Sequence, residues 1–444
     1  MNKRIRDSLF ILFIIIFVIT TLLVSLYAAG YSIRRSWPPR FGQLVERTGM
    51  LLLDSEPDGS AIFLNGEKQR RSWLLDLGRD EITTPTKIKN LVPGEYTLRL
   101  EKEGYWPLEK KIKIESGQAT FAEDFILFRR TTPSNIAICA PQDISFGPEK
   151  KTYLVLPNDG LVINLKTETS STLTDKGAMP VQWSQNGTQI LFSDKLINLN
   201  SGNTNYDLSS LGDGATNFFW DESSKKIYYQ SGGAINCIIT DEQVASTVIS
   251  GGTYVAYTVR GGLLYTIENE ADRIFLRVYD ANTSTLRSSS DLPAGDYIFR
   301  QTETNLDLYD RRQQALYALS DYALQPIAKQ IKPVSSWQWL SAKFLIWHNG
   351  YEIYSLDMDS GRQDLLIRVS EELTGLAWNR SKNYLIYSSA NQIQIVNLNL
   401  EVKTPITLTQ AENISNLSLD ERNQIIYFYA KIGEESGVYK LQLQ

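Results

Sequence analysis

The chain has 444 residues, long enough for more than one domain, and a formal net charge of −5. Six basic side chains face one acid in the first 40 residues, so the other 404 carry −10; such a body lacks the basic stripe that nucleic acid demands, and no nucleic acid is expected as a partner. Cys139 and Cys237 are the only cysteines, with no C-x-x-C pair, which excludes a disulfide framework and fits a protein that reaches an oxidising compartment without disulfides.

Ser8 to Ile33 is a run of 26 residues without a charge, rich in Ile, Leu, Phe and Val. About 20 apolar residues span a bilayer as a helix, so residues 8–33 are expected to be a transmembrane anchor, with 1–7 as a cytoplasmic tail. Lys3, Arg4 and Arg6 precede the run and favour a cytoplasmic N-terminus; Arg34 and Arg35 follow it and oppose that orientation. The long downstream part favours export, since large domains translocate largely regardless of charge. A cleaved signal peptide ending near Ala28-Ala29-Gly30 is the alternative, but the run exceeds the roughly 7–15 residues of a signal core. Trp37-Pro38-Pro39 stiffens the linker over 34–48.

No long amphipathic helix pattern follows residue 45, so the extramembrane part reads as all-β. Met50 to Asp54 and Ala61 to Leu64 read as strands around a turn at Pro57-Asp58-Gly59. Asn65-Gly66 is a hairpin turn. Strands are also expected over Tyr96 to Leu100, Lys111 to Ile114 and Ala119 to Phe128, together making a small β-sandwich at 49–128.

The ordered turns Pro57-Asp58-Gly59-Ser60, Asn65-Gly66, Thr84-Pro85, Pro93-Gly94 and Gly104-Tyr105 resemble the PEGA domain. That resemblance implies a prokaryotic cell-surface β module used for display or attachment. This chain departs from the family between its Gly and its Thr-Pro, where Glu67 to Glu81 intervene. Arg70, Arg71, Trp73, Leu74 and Leu75 in that insertion are a candidate partner contact, because Trp and Arg are over-represented at binding hot spots. The competing reading folds Trp73 and the two leucines back onto the sandwich.

From about residue 135 a unit of short strands recurs. Phe146, Trp183, Trp220, Tyr257, Phe299, Trp339, Trp378 and Leu419 fall in register, separated by 37, 37, 37, 42, 40, 39 and 41 residues. A period near 40 with about four strands per unit is the pattern of a β-propeller, here over 135–444. Eight register positions suggest eight blades, with seven the alternative. The last unit has room for three strands before Gln444, so the strand at Asn135 to Cys139 is expected to complete it. The aromatic register is best explained by packing between sheets. Trp-Ser-Gln-Asn-Gly at Trp183 to Gly187 resembles the repeat turn of TolB-like propellers, which implies fold more than activity.

Catalytic signals are sparse. His348 is the single histidine, and the reading is an exposed turn residue. No G-x-S-x-G elbow accompanies it, and one His with two distant Cys does not make a zinc site. Asp307, Asp310, Asp357 and Asp359 are candidates for a glycosidase pair, but acids after strands are usually turn-formers. No cofactor is expected. The sequence therefore reads as a noncatalytic, single-pass membrane protein of the cell envelope. Its domains lie outside the membrane and bind a protein or a wall polysaccharide. An envelope glycan hydrolase and an assembly or secretion docking factor are the alternatives.

Overall fold

The computed structural model describes residues 3–28, 31–33, 45–70, 81–141, 144–147, 153–172, 182–184, 189–192, 195–199, 204–211, 214–221, 225–239, 244–302, 304–320, 324–379, 381–400 and 402–444. The one α-helix among them is Lys3–Ala28. Its segment Leu9–Leu26 has a mean hydropathy of 3.1 and buries none of its side chains. At about 1.5 Å per residue such a helix crosses the roughly 30 Å hydrocarbon core, which makes it a candidate membrane span or signal sequence. The helix ends before the apolar run does. Tyr31–Ile33 is a strand paired with Val45–Arg47, in keeping with the strand preference of Tyr and Ile beyond the poor helix former Gly30.

Two compact units divide the chain. One holds residues 1–131 with 397–404 and 443–444. Beyond that short strand pair, its β part is two facing sheets. Gly49–Glu56 lies between Thr86–Leu91 and, in parallel, Ala119–Ile126; the second sheet runs Glu67–Lys68, Ala61–Leu64, Gly94–Glu101, Leu108–Ile114. Alternation sends Leu51 and Leu53 from the first sheet, and Leu98, Leu100, Ile112 and Ile114 from the second, into one core. Gly49 is required where it stands, because a Cβ there would come within 2.5 Å of the Glu115 carbonyl oxygen.

The other unit is built of eight four-stranded antiparallel sheets. Their first strands are Ser145–Phe146, Gln182–Trp183, Thr216–Trp220, Tyr254–Arg260, Tyr297–Gln301, Ser336–Ser341, Leu373–Asn379 and Glu412–Asp420. Each carries one of the eight register residues. Successive sheets share apolar clusters: Val155 and Val162 of the first sheet with Ile190 of the second, Tyr228 of the third with Tyr257 of the fourth, Leu316 of the fifth with Trp337 of the sixth. The series closes on itself. Leu154 and Ile163 of the first sheet pack with Tyr427 and Val438 of the eighth.

The eighth sheet takes its fourth strand from the opposite end of the unit. Ser134–Ile138 pairs antiparallel with Glu435–Gln442, as the room for only three strands at the C-terminus predicts. Gly437 permits this: a Cβ there would sit 2.1 Å from the Ala137 carbonyl oxygen.

Candidate functional site

The turns of the sandwich have structural work. Ser55, Ser60 and Thr84 are buried together, with Ser55 Oγ 2.6 Å from Thr84 Oγ1 and 3.1 Å from Ser60 Oγ. The Gly59 N–H donates to the Thr84 carbonyl at 2.7 Å, and the Ser60 N–H donates to Thr84 Oγ1 at 3.0 Å. The turn at Pro57 and the turn at Thr84-Pro85 are thus one hydrogen-bonded knot, entered through cis peptide bonds before Pro57 and Pro85. Asn65 and Gly66 both have positive φ, 51° and 82°, as the tight hairpin requires. Pro93-Gly94 opens the strand Gly94–Glu101. Beside Gly104, Tyr105 bridges to Arg129, whose guanidinium lies 6.0 Å from its ring centre. Of the candidate contact in the insertion, Arg70 is exposed and bridges to Glu81; Arg71, Trp73, Leu74 and Leu75 lie outside the described residues.

In the second unit, first strands from seven sheets converge on a cavity of about 610 Å³. Its wall includes Trp183, Arg300, Trp337, Gln338, Trp339 and Thr374. Alternation along a strand explains how this wall is held. In the sixth sheet, Trp337 and Trp339 share one face, and both indole N–H groups donate to Asp307 Oδ2 of the fifth sheet, at 2.8 and 2.7 Å. Gln338 points the other way, and its Oε1 accepts the Trp378 backbone N–H of the seventh sheet at 3.3 Å. The second sheet repeats the device. Trp183 Nε1 donates back to Ser145 Oγ at 3.0 Å, while Gln182 reaches forward to the backbone of Trp220. A Gln directly before a register Trp was the signal for this clasp, and reading the tryptophans alone misses it.

Burial separates the aromatic register into two groups. Trp220 and Trp378 are buried, consistent with packing between sheets; Trp183 and Trp339 are half-buried and open onto the cavity. Neither face of Trp337 is free: Tyr309 lies against it with ring centres 4.8 Å apart, and the Arg300 guanidinium sits 4.7 Å from its ring centre.

Asp307 departs from the turn-former reading. It lies within the strand Leu306–Asp310, is fully buried, and burial raises its pKa to about 6 against the opposing indole hydrogen bonds. Its Oδ1 has no hydrogen-bond partner among the described residues. Arg300 stands directly across the strand pair from it. The Arg300 side chain is exposed at the cavity wall, yet the surrounding protein desolvates it and lowers its pKa, with Asp307 pulling the other way. Asp310 and Asp357 do form turns, accepting backbone N–H bonds from Arg312 at 3.0 Å and Asp359 at 2.9 Å. Asp359 pairs with Lys343 at 2.7 Å.

His348 is not the exposed turn residue expected. It is the last residue of the strand Phe344–His348 and is buried there. Nδ1 accepts the Gly350 N–H at 3.2 Å, Nε2 has no partner among the described residues, and burial lowers the pKa to about 4. Cys139 and Cys237 form no disulfide. Among the described residues no group of three His, Cys, Asp or Glu could hold a metal ion.

Residues 48–123 match the PEGA domain. No curated protein matches the chain. A solved structure described as the eukaryotic initiation factor has a TM-score of 0.51 at 11% identity, covering 75% of this chain and 95% of its own. The Dos1 propeller has a TM-score of 0.48 at 10% identity over 71% of this chain and 96% of its own. The Cps50 (Swd1) β-propeller domain of Myceliophteria thermophila has 0.39 at 15% identity, over 59% and 95%. At these identities the likeness is one of fold: a PEGA domain accompanies a β-propeller and one N-terminal apolar helix.

Proposed function

We propose that this chain is a noncatalytic binding or scaffold protein of the cell envelope, anchored by its N-terminal helix. Its eight sheets serve as the blades of a propeller that takes a protein partner at the central cavity. The N-terminus is cytoplasmic and both folded units lie outside the membrane in this reading, which rests on the basic residues before the helix and the length of chain after it. A PEGA domain and a β-propeller suit binding rather than chemistry.

The observation that carries the reading is the cavity itself. Seven sheets contribute to it, so one ligand there touches most of the repeats at once. A glycan hydrolase needs two carboxylates flanking the scissile bond. Asp307 has a raised pKa, but its side chain is fully buried, its Oδ2 is occupied by two indoles, and it is not among the described residues that line the cavity.

The test is crosslinking of the intact anchored protein in membranes. We compare the wild type with Thr374→Trp, which fills the cavity, and with Val244→Trp, which enlarges an exposed side chain on an outer strand. Partner recovery lost with the first and kept with the second supports the reading. Equal recovery from both rejects it.

A further inference from the structure

Arg300 is the one cation among the described residues that line the cavity, and it forms no ion pair with any of them. Every other charged group in that lining is an acid, Asp221 or Glu421. Asp221 Oδ1 accepts the backbone N–H groups of Lys225 and Lys226, each at 3.0 Å, so it is committed to its turn. The Arg300 guanidinium carbon sits over the Trp337 ring, 4.7 Å from its centre, a contact that uses none of its N–H donors. A guanidinium with no ion pair within reach in the described lining, held at a cavity wall, suits bidentate capture of a carboxylate.

Resting on the cavity reading above, we propose that Arg300 anchors a single carboxylate of an otherwise uncharged peptide segment of the partner, held in the propeller cavity. One carboxylate is specified because Asp221 and Glu421 repel a second. A peptide follows from the protein partner of that reading, and glucuronic acid serves as the acidic-sugar control in the test.

The experiment is calorimetric titration of the full chain in detergent micelles. The probes are acetyl-Gly-Ala-Glu-Ala-Gly-amide, its Gln counterpart, acetyl-Gly-Ala-Ala-Ala-Gly with a free C-terminus, and glucuronic acid. Binding of either carboxylate peptide, with none by the Gln peptide, is expected; which of the two binds tells a side-chain carboxylate from a chain end. Arg300→Gln should weaken that binding about tenfold or more, the scale of one charge-assisted hydrogen bond. Arg300→Lys should fall between, because Lys keeps the charge but not the fork. Arg287→Gln, whose residue pairs with Asp280 on an outer strand, should change nothing. Should Arg300→Gln fail to fold, Arg300→Lys decides, and undiminished binding by it overturns the proposal. Undiminished binding by folded Arg300→Gln also overturns it, as does binding of glucuronic acid alone, or of no probe at millimolar concentration. If Arg300→Gln binds normally but Thr374→Trp does not, Arg300 is excluded and the cavity reading survives; if both bind normally, the cavity reading falls as well.

Discussion

The side-chain carbonyl of Gln182 accepts the backbone N–H of Trp220 at 2.6 Å, and its amide returns a bond to the Trp220 carbonyl at 3.4 Å. One side chain in the second sheet thereby satisfies both backbone groups of the register tryptophan in the third. Gln338 repeats half of this toward Trp378, at 3.3 Å. Gln182→Ala should destabilise the propeller by about 1–2 kcal/mol, and Gln338→Ala by less, since it loses one longer bond. Denaturant titration of each variant checks the order. A larger loss from Gln338→Ala would contradict this account of the clasp.

Closure of the repeat series depends on Gly437. Gly437→Ala should push Ser134–Ile138 away from Glu435–Gln442 and cost about 1–3 kcal/mol. Gly433→Ala meets nothing within 4 Å and costs about 1 kcal/mol through its positive φ alone. Hydrogen exchange separates them: protection over Ser134–Ile138 should fall in the first variant and persist in the second.

Most of the fold is legible in the sequence. Eight aromatic or apolar residues at a period near 40 locate the first strand of every sheet, because the innermost strand must pack against neighbours on both sides. The three-strand remainder at the C-terminus likewise announces that Asn135 belongs to the last sheet. The site is less legible. Asp307 looks like any acid after a strand, since nothing local records that two indoles from another sheet will close over it. His348 looks like a turn residue because Asn349-Gly350 follows, and burial of the last strand position is decided by packing across sheets. Arg300 carries no local signature at all. Its importance arises only when the sheets assemble around it.

Asp307 and His348 set opposing pH dependences. The Asp307 carboxyl rises from an ordinary value near 4 to about 6 on folding, so its contribution is full below the lower value and is lost as pH rises through 6. The His348 imidazole falls from 6.5 to about 4, so its contribution is full above 6.5 and is lost as pH falls toward 4. Compared with wild type between pH 4 and pH 6.5, Asp307→Asn should make stability rise more steeply with pH. His348→Gln should make it rise less, or fall. Thermal melts across this window test both signs, and like-signed changes would contradict the burial assignments.

The knot at Ser55 and Thr84 ties the two diagnostic turns of the sandwich together. Thr84→Val leaves Ser55 Oγ and the Ser60 N–H short of a partner and should cost about 1–3 kcal/mol, while Thr84→Ser should restore most of it. Hydrogen exchange over Gly49–Glu56 isolates this unit from the propeller. Full protection in Thr84→Val with loss in Thr84→Ser would show that the methyl group, and not the hydroxyl, matters.

The central claim is that the propeller cavity receives the partner. A photo-reactive benzophenone amino acid placed at Leu376, in the cavity wall, or at Val244, exposed on an outer strand, tests it in intact membranes. The account predicts a discrete adduct from position 376 that excess acetyl-Gly-Ala-Glu-Ala-Gly-amide diminishes, and none from 244. An adduct from 244 with nothing at 376 would contradict it.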